Sequence, residues 1–183
     1  MIKHRNDLGQ WLEEVIPSGI GIEVGVQQGR YSEQLLEKWG SGTLYSLDRW
    51  EHTDGYIDSA NVDQGVQDAY FRETKDLLAR YGERSKIIKA SSKDGAKLFE
   101  DESLDFIYID ADHSYEGCMK DLHLWYPKLR KGGVFAGHDY VTAKFHHGDF
   151  GVKQAVDEFF EQRDILVSLI PDPHGWISWF IQK

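Results

Sequence analysis

Two glycines after a short apolar segment, followed by an aspartate further along the chain, constrain this sequence more than any other feature. The apolar residues 20–24 predict a strand that runs into a turn containing Gly25 and Gly29, and a helix is predicted directly after it. A second apolar segment, residues 43–47, ends at Asp48. In open α/β sheets ligands bind at the carboxyl ends of the strands, where a carboxylate can accept hydrogen bonds from both ribose hydroxyls. The pattern therefore predicts a strand–helix–strand unit that binds a nucleoside.

The glycine turn departs from the pattern that binds dinucleotides. Gln27 stands where such a turn has an inner glycine, and Glu23 comes just before the turn. Backbone N–H groups and a helix dipole bind a pyrophosphate, so an acid at this place would repel it, whereas it would attract an ammonium group. S-adenosylmethionine has a ribose, an adenine and an ammonium group but no phosphate, and the pattern favours it. The predicted cofactor-binding residues are Glu23, Gly25, Gln27, Gly29 and Asp48. The alternative is an ordinary strand–turn–helix with a solvated glutamate.

Length and composition predict one globular domain spanning residues 1–183. The net charge of -10, without any block of Lys or Arg, argues against nucleic acid as a partner and favours a small-molecule substrate. The single Cys118 excludes an intramolecular disulfide and is typical of a reducing compartment. No apolar stretch is long enough for a signal peptide or a membrane span, so we expect a cytoplasmic protein with no membrane partner. A homodimer is the default expectation for its assembly.

Predicted strands and helices alternate along the whole chain. The predicted helices cover residues 8–16, 31–39, 69–81, 95–99, 115–125 and 152–162. The predicted strands cover residues 20–24, 43–47, 86–89, 104–109, 134–136, 165–170 and 176–181. This order predicts an α/β fold with a doubly wound, mainly parallel sheet covered on both faces, and with an antiparallel edge strand at one side. Residues 50–67 lack periodicity and are rich in turn residues, which is typical either of a mobile loop beside the ligand or of a plain surface connection.

Further polar groups follow two other predicted strands. Asp110 comes directly after residues 104–109, and His138 and Asp139 follow residues 134–136. Since the carboxyl ends of parallel strands meet at one edge of a sheet, these groups are expected to lie close together and near the glycine turn. Carboxylate oxygens suit hard divalent cations, and an imidazole ligand shifts the preference toward Mn, Fe or Zn. The alternative is that Asp110 caps the next helix and His138 bonds only to backbone.

On these motifs the chain resembles the class I S-adenosylmethionine-dependent methyltransferases. Within them it is similar to small metal-assisted O-methyltransferases, such as catechol and macrolide-sugar O-methyltransferases, from about residue 21 to the last residue. The resemblance implies a Rossmann-like methyltransferase sheet, with Ser91 and Ser92 against the adenine and His113 as the general base. It also implies that Asp110 contacts the cofactor as well as a metal, and that His138 and Asp139 are the other metal ligands.

One residue departs from the resemblance. The first of the two adjacent metal ligands is usually Asp or Glu in these enzymes, and here it is His138. Because an imidazole is a poor magnesium ligand, the sequence leaves open another metal such as Mn, a site made by Asp110 and Asp139 alone, or no metal. The implied reaction is methyl transfer to a hydroxyl of a sugar, phenol or natural product. In that reaction His113 removes the hydroxyl proton, and a metal lowers the pKa of the hydroxyl.

Two other functions remain open from the sequence. Tyr140 and Lys144 match the Tyr-x-x-x-Lys spacing of short-chain NAD(P)-dependent oxidoreductases, although spacings this short are frequent by chance. A non-catalytic module that binds a cofactor is the second alternative. The identity of the acceptor, and O- rather than N-methylation, are not determined by the sequence.

Overall fold

The computed structural model describes residues 2–146, 148–172 and 175–183, and strands and helices alternate along most of this length. The strands are β1 (Ile20–Val24), β2 (Thr43–Asp48), β3 (Ser85–Lys89), β4 (Leu104–Ile109), β5 (Leu129–Gly137), β6 (Ala143–Phe145), β7 (Gly148–Phe150), β8 (Ser168–Pro171) and β9 (Ile177–Gln182). The α-helices are α1 (Leu8–Val15), α2 (Arg30–Lys38), α3 (Gln64–Leu78), α4 (Ser92–Ala96), α5 (Tyr115–Trp125) and α6 (Val152–Glu161). Short 3-10 segments cover Arg5–Asp7, Ala79–Arg84 and Tyr126–Lys128.

Seven strands form one sheet in the order β3-β2-β1-β4-β5-β9-β8. Strands β1 to β5 are parallel, and β9 runs antiparallel to both of its neighbours, β5 and β8. Val24 pairs with both Leu47 and Ile109, and Ile109 pairs with Gly137, so four strands end at the same level. The mainly parallel, doubly wound sheet with antiparallel pairing at one edge, predicted from the sequence, is confirmed.

Helices cover both faces of the sheet because its central strands are apolar on both sides. In β4, for example, Phe106 and Tyr108 point to one face while Ile107 and Ile109 point to the other, and all four are buried. The face under α4, α5 and α6 buries Ile22, Val24, Ile107, Leu122, Trp125, Phe135, Phe159 and Trp179. The face under α1, α2 and α3 buries Leu8, Leu12, Leu35, Leu36, Trp39, Phe106, Tyr108 and Val134. None of the helices in the described ranges is long and apolar enough to cross a membrane.

Several elements differ in their bounds from the sequence predictions. Strand β5 begins at Leu129 rather than at residue 134, α4 covers Ser92–Ala96 rather than residues 95–99, and β8 begins at Ser168 rather than at residue 165. Helix α3 begins at Gln64, five residues before the predicted start at residue 69, because its first turn faces the preceding loop through polar side chains that hydrophobic periodicity does not detect. Gln64 bonds to the backbone of His52 and Trp50, and Gln67 donates to the carbonyl of Ala60. The strand predicted as buried at residues 86–89 is β3, which is only half-buried because it lies at the edge of the sheet.

A further difference is a small hairpin, β6 with β7, in a segment for which the sequence predicted neither a strand nor a helix. Its two strands have three residues each, which is too short for a detectable alternation of apolar and polar residues. The predicted turn between the last two strands includes residues 173 and 174, which lie outside the described residues.

Candidate active site

A cleft of about 680 Å³ lies at the carboxyl ends of β1, β2 and β4. This volume is in the range of sites that enclose a cofactor-sized molecule. Seven of the eight predicted cofactor-binding residues line it: Glu23, Gly25, Gln27, Asp48, Ser91, Ser92 and Asp110. The structure therefore brings these seven residues to one cleft, whereas Gly29 does not line it.

The glycine turn is shaped by close backbone contacts. Gly25 has a φ of +91°, and a Cβ built on it would lie 2.0 Å from the carbonyl oxygen of Asp110. Gln27 is also in the left-handed region, with a φ of 52°. Gly29 has a φ of +74° and precedes α2; it does not line the cleft, and a Cβ built on it would lie 2.9 Å from the side chain of Thr74. Gly25 thus lets β1 and β4 approach each other at the floor of the cleft, whereas Gly29 is needed for the conformation that starts the helix.

Asp48 holds the glycine turn against the end of β2. Its Oδ2 accepts hydrogen bonds from the backbone N–H groups of Val26 at 2.8 Å and Gln27 at 2.9 Å, and its Oδ1 accepts from Trp50 N at 2.9 Å. Trp50 is fully buried and donates its indole N–H to the carbonyl of Gln27. Since a carboxylate has about four lone-pair positions, Asp48 keeps acceptor capacity for ribose hydroxyls while it positions the turn.

Glu23 is a buried acid at the end of β1. Its Oε2 accepts a hydrogen bond from the hydroxyl of Ser32, which in turn accepts from Ser46 at 2.8 Å. Burial raises the pKa of Glu23 to about 8, although the Ser32 hydrogen bond and the nearby Arg5 act in the opposite direction. At neutral pH this side chain therefore carries a proton for most of the time, and a cationic ligand group would favour its ionised form.

We expect this buried acid to make the protein less stable as the pH rises. Between pH 4.5 and about 8 the folded protein keeps a proton on Glu23 that the unfolded chain releases, so the free energy of unfolding falls across this window. Glu23→Gln should flatten this fall by on the order of a few kcal/mol. Urea unfolding of both proteins at pH 5, 6, 7 and 8 would measure the difference. Parallel curves for the two proteins would contradict the raised pKa.

The side of the cleft predicted to contact adenine is built by Ser91 and Ser92. Ser91 caps α4 by accepting from Asp94 N at 3.1 Å. Ser92 donates to the buried carboxylate of Asp121 and accepts from Trp125 Nε1 at 2.9 Å. Burial raises the pKa of Asp121 to about 6. This chain of hydrogen bonds joins α4 to α5 and fixes the wall of the cleft.

An acid–imidazole group lies beside the cleft at the ends of β4 and β5. Asp110, His113 and Asp139 each offer a ligand atom within 4.8 Å of the others. His113 Nε2 is 3.0 Å from Asp139 Oδ2 and 3.6 Å from Asp110 Oδ1. It is nevertheless buried without a hydrogen-bond partner in the part of the chain that the structure describes. Two carboxylates and an imidazole this close together match the donors of a cation site.

The ring of His113 is held from its other side. Its Nδ1 is 2.8 Å from Asp58 Oδ2, and the ring stacks on Phe150 with centroids 4.6 Å apart. Burial lowers the pKa of His113, but the surrounding carboxylates of Asp110, Asp139 and Asp58 outweigh it and raise this pKa to about 12. The imidazole is therefore protonated at neutral pH unless other positive charge enters the site.

His138, a predicted metal ligand, lies outside the group of three. Its Nδ1 is 3.0 Å from Asp139 Oδ1 but 4.0 Å from Asp110 Oδ1, and its Nε2 is nearest to Asp172, at 3.5 Å. The imidazole nearer to Asp110 is that of His113, which the resemblance implied as a base, so the structure groups Asp110, His113 and Asp139. The role of His138 as a metal ligand stays a prediction.

Comparison with known proteins identifies the family. Residues 22–140 match the family described as "Methyltransferase domain". The chain belongs to this methyltransferase family. No curated protein matches it in sequence.

Solved structures share the fold of this methyltransferase at low sequence identity. An O-methyltransferase from Bacillus cereus in complex with SAH is 15% identical, with a TM-score of 0.67, and the match covers 98% of this chain and 80% of that one. TomG from Streptomyces achromogenes, an O-methyltransferase of tomaymycin synthesis in complex with SAM, is 16% identical, with a TM-score of 0.66 and coverages of 98% and 79%. A candidate rRNA-methylase from Clostridium thermocellum is 15% identical, with a TM-score of 0.68 and coverages of 100% and 97%. The fold is that of the S-adenosylmethionine-dependent methyltransferases.

Two residues that line the cleft of this methyltransferase were not predicted from the sequence. Asp58 comes from the aperiodic loop of residues 50–67, and Arg5 comes from the N-terminal 3-10 turn and bonds to Asp110 Oδ2 at 3.0 Å. The polar composition of the loop was a weak signal for Asp58, whereas nothing in the local pattern around Arg5 indicated a site. Both reach the cleft through contacts between distant parts of the chain.

Proposed function

We propose that this protein transfers the methyl group of S-adenosylmethionine to a hydroxyl of a small molecule such as a sugar, a phenol or a natural product. The observation that carries the proposal is the group of Asp110, His113 and Asp139 beside a cofactor-sized cleft. A hydroxyl is a weak nucleophile, so O-methylation needs a group that takes or polarises its proton at the place where the cofactor presents its methyl. Two solved structures with the same fold, bound to SAH and to SAM, are O-methyltransferases, which favours the same chemistry here.

The donor set fits a divalent cation. Two carboxylates and an imidazole converge, and His113 Nε2 is buried without a hydrogen-bond partner within the described ranges. With one nitrogen donor, the set suits Mn or Fe at least as well as Mg. A cation held by these residues would polarise the acceptor hydroxyl and lower the pKa both of that hydroxyl and of His113.

The remaining chemistry belongs to residues of the chain. The glycine turn and Asp48 would hold the nucleoside, with Ser91 and Ser92 against the adenine. His113, held by Asp58 through Nδ1, would use the lone pair of Nε2 either to bind the cation or to accept the proton of the hydroxyl, because one lone pair cannot do both. Nε2 is buried, which keeps bulk water away from it in either role.

The oxidoreductase alternative is not supported. Lys144 is exposed and lies 3.3 Å from Asp149, on the small hairpin. Tyr140 donates its hydroxyl to Asp157 on α6. The two side chains therefore bind to different partners, and the proton relay that the spacing suggested is not formed.

The net charge of -10 also favours a small acceptor over RNA, which would be repelled by the acidic surface.

Calorimetric titration of chelator-treated protein with S-adenosylmethionine and with NADH tests the proposal. Micromolar binding of S-adenosylmethionine alone is expected, with added heat from Mn or Mg. Turnover is then measured on a panel of hydroxylated acceptors. Tight binding of the cofactor with no turnover of any acceptor would favour the non-catalytic module, and binding of NADH alone would contradict the proposal.

Asp58→Asn is expected to lower kcat about ten- to a hundredfold while the Kd for S-adenosylmethionine stays unchanged. The substitution removes the negative charge that holds the proton on Nδ1 of His113 and so keeps Nε2 facing the acids. Asp54→Asn is the matched control, because Asp54 lies in the same loop and its side chain is fully exposed. Equal kcat values for the two variants would show that Asp58 does not position His113.

A further inference from the structure

Arg5 brings a guanidinium to the cofactor cleft from the N-terminal segment. It belongs to the 3-10 turn Arg5–Asp7, and this turn is attached to α2. Lys38 donates to the carbonyl of Asn6 at 2.5 Å, and the hydroxyl of Tyr31 donates to the carbonyl of Arg5 at 3.4 Å. The backbone that carries Arg5 is therefore fixed to the helix that follows the glycine turn.

The guanidinium of Arg5 is only partly satisfied. Its carbon lies 3.8 Å from the ring centroid of Tyr31, and Nη2 donates to Asp110 Oδ2 at 3.0 Å. Nη1 is 3.8 Å from Asp172 Oδ2, beyond hydrogen-bond distance, and Nε is buried without a hydrogen-bond partner among the described residues. A guanidinium has five N–H donors, and leaving one buried without a partner is costly. Arg5 therefore has donors available for an anionic ligand.

The charges around the cleft leave one suitable place for such an anion. Apart from Glu23, which is mostly protonated at neutral pH, the acids that line the cleft include Asp48, Asp58, Asp110, Asp112 and Asp139. Their field favours a sulfonium and an ammonium but repels a carboxylate. The lining Arg and Lys residues other than Arg5 are all exposed: Arg30, Arg49, Lys93 and Lys120. Among the described residues that line the cleft, only Arg5 has a largely buried cationic side chain, which is 16% exposed. An anionic group of a ligand would therefore find its buried cation there.

We propose that Arg5 binds the carboxylate of the amino-acid part of S-adenosylmethionine. The proposal rests on the proposed function, since it assigns one end of the same cofactor. Arg5 lines the cleft together with Glu23, Gly25 and Tyr31, so the amino-acid part would lie between the guanidinium and the glycine turn. A guanidinium matches a carboxylate with two parallel N–H donors, which gives both charge neutralisation and orientation. Fixing this end of the cofactor also fixes the direction in which the sulfonium presents its methyl group.

The test compares two cofactors that differ only in the carboxylate. Binding of S-adenosylmethionine and of decarboxylated S-adenosylmethionine, which keeps the sulfonium and the ammonium, is measured by calorimetry on the wild type and on Arg5→Gln. The wild type is expected to bind S-adenosylmethionine at least about tenfold more tightly than the decarboxylated compound. Arg5→Gln should weaken this binding about ten- to a hundredfold, and should change the affinity for the decarboxylated compound less than about threefold.

Two further variants separate the carboxylate contact from other effects. Arg30→Gln removes one cation from the exposed rim and controls for the change in net charge, while Arg5→Lys keeps the charge but not the paired donors and should fall between wild type and Arg5→Gln. Equal losses for both cofactors in Arg5→Gln would overturn the proposal, because Arg5 would then act only as a counterion of Asp110. If Arg5→Gln does not fold, equal affinity of the wild type for the two cofactors would overturn it. If the wild type binds neither cofactor, the proposed function itself fails.

Discussion

Asp139→Asn is expected to lower both the affinity for Mn or Mg and the turnover number by more than about a hundredfold. Substituting a residue that only hydrogen-bonds to a metal ligand typically lowers metal affinity or activity about ten- to a hundredfold, and the loss of a ligand should exceed this. The substitution removes one of the two carboxylates that face Nε2 of His113. Burial raises the pKa of Asp139, but His113 and His138 more than offset this and hold it well below its usual range, so the charge that is lost is present at every working pH. Binding of S-adenosylmethionine should change less than about threefold, because Asp139 lies on the far side of Asp110 from the glycine turn.

Asn is the appropriate replacement because Asp139 has a φ of 50°. Asn adopts this left-handed conformation more readily than other residues, so the backbone is kept while the charge is removed. Asp164→Asn is the matched control, since Asp164 has a φ of 55° and is exposed on the surface. Turnover and metal affinity of Asp139→Asn that equal those of this control would exclude Asp139 from the reaction.

Gly25→Ala is expected to destabilise the fold by more than about 4 kcal/mol, or to leave no folded protein. Its Cβ would lie 2.0 Å from the carbonyl oxygen of Asp110, and neither strand end can move because β1 and β4 are paired up to this point. The φ of +91° adds a cost of its own for any residue with a Cβ. If folded protein is obtained, its affinity for S-adenosylmethionine should fall strongly, because the turn and Asp110 would have to separate.

Gly55→Ala separates the two causes. Gly55 has a φ of +75°, but a Cβ on it would meet nothing within 4 Å. This control should cost only the conformational penalty of about 1 kcal/mol. Urea unfolding of the two variants measures the difference, and a loss of equal size in both would show that the contact with Asp110 does not restrict Gly25.

The sequence contained enough information to predict the layers of this protein and the edge of the sheet that carries the site. Apolar runs such as residues 104–109 predict strands covered on both faces, and amphipathic segments such as residues 115–125 predict the helices that cover them. Parallel strands align their carboxyl ends, so Gly25, Asp48 and Asp110 had to meet at one edge whatever the details of packing. These features depend on the local period of the chain, which a sequence displays directly.

Residue-level details of the site were decided only by the tertiary structure. The imidazole grouped with the two acids is that of His113, because the rotation of each ring depends on neighbours such as Asp58, Phe150 and Asp172. Asp58 and the guanidinium of Arg5 reach His113 and Asp110 across 55 and 105 residues of chain. Local periodicity carries no record of such contacts, since they are formed by the packing of whole elements against one another. The sequence by itself therefore determined the fold and the cleft, and the three-dimensional packing determined which charges meet inside it.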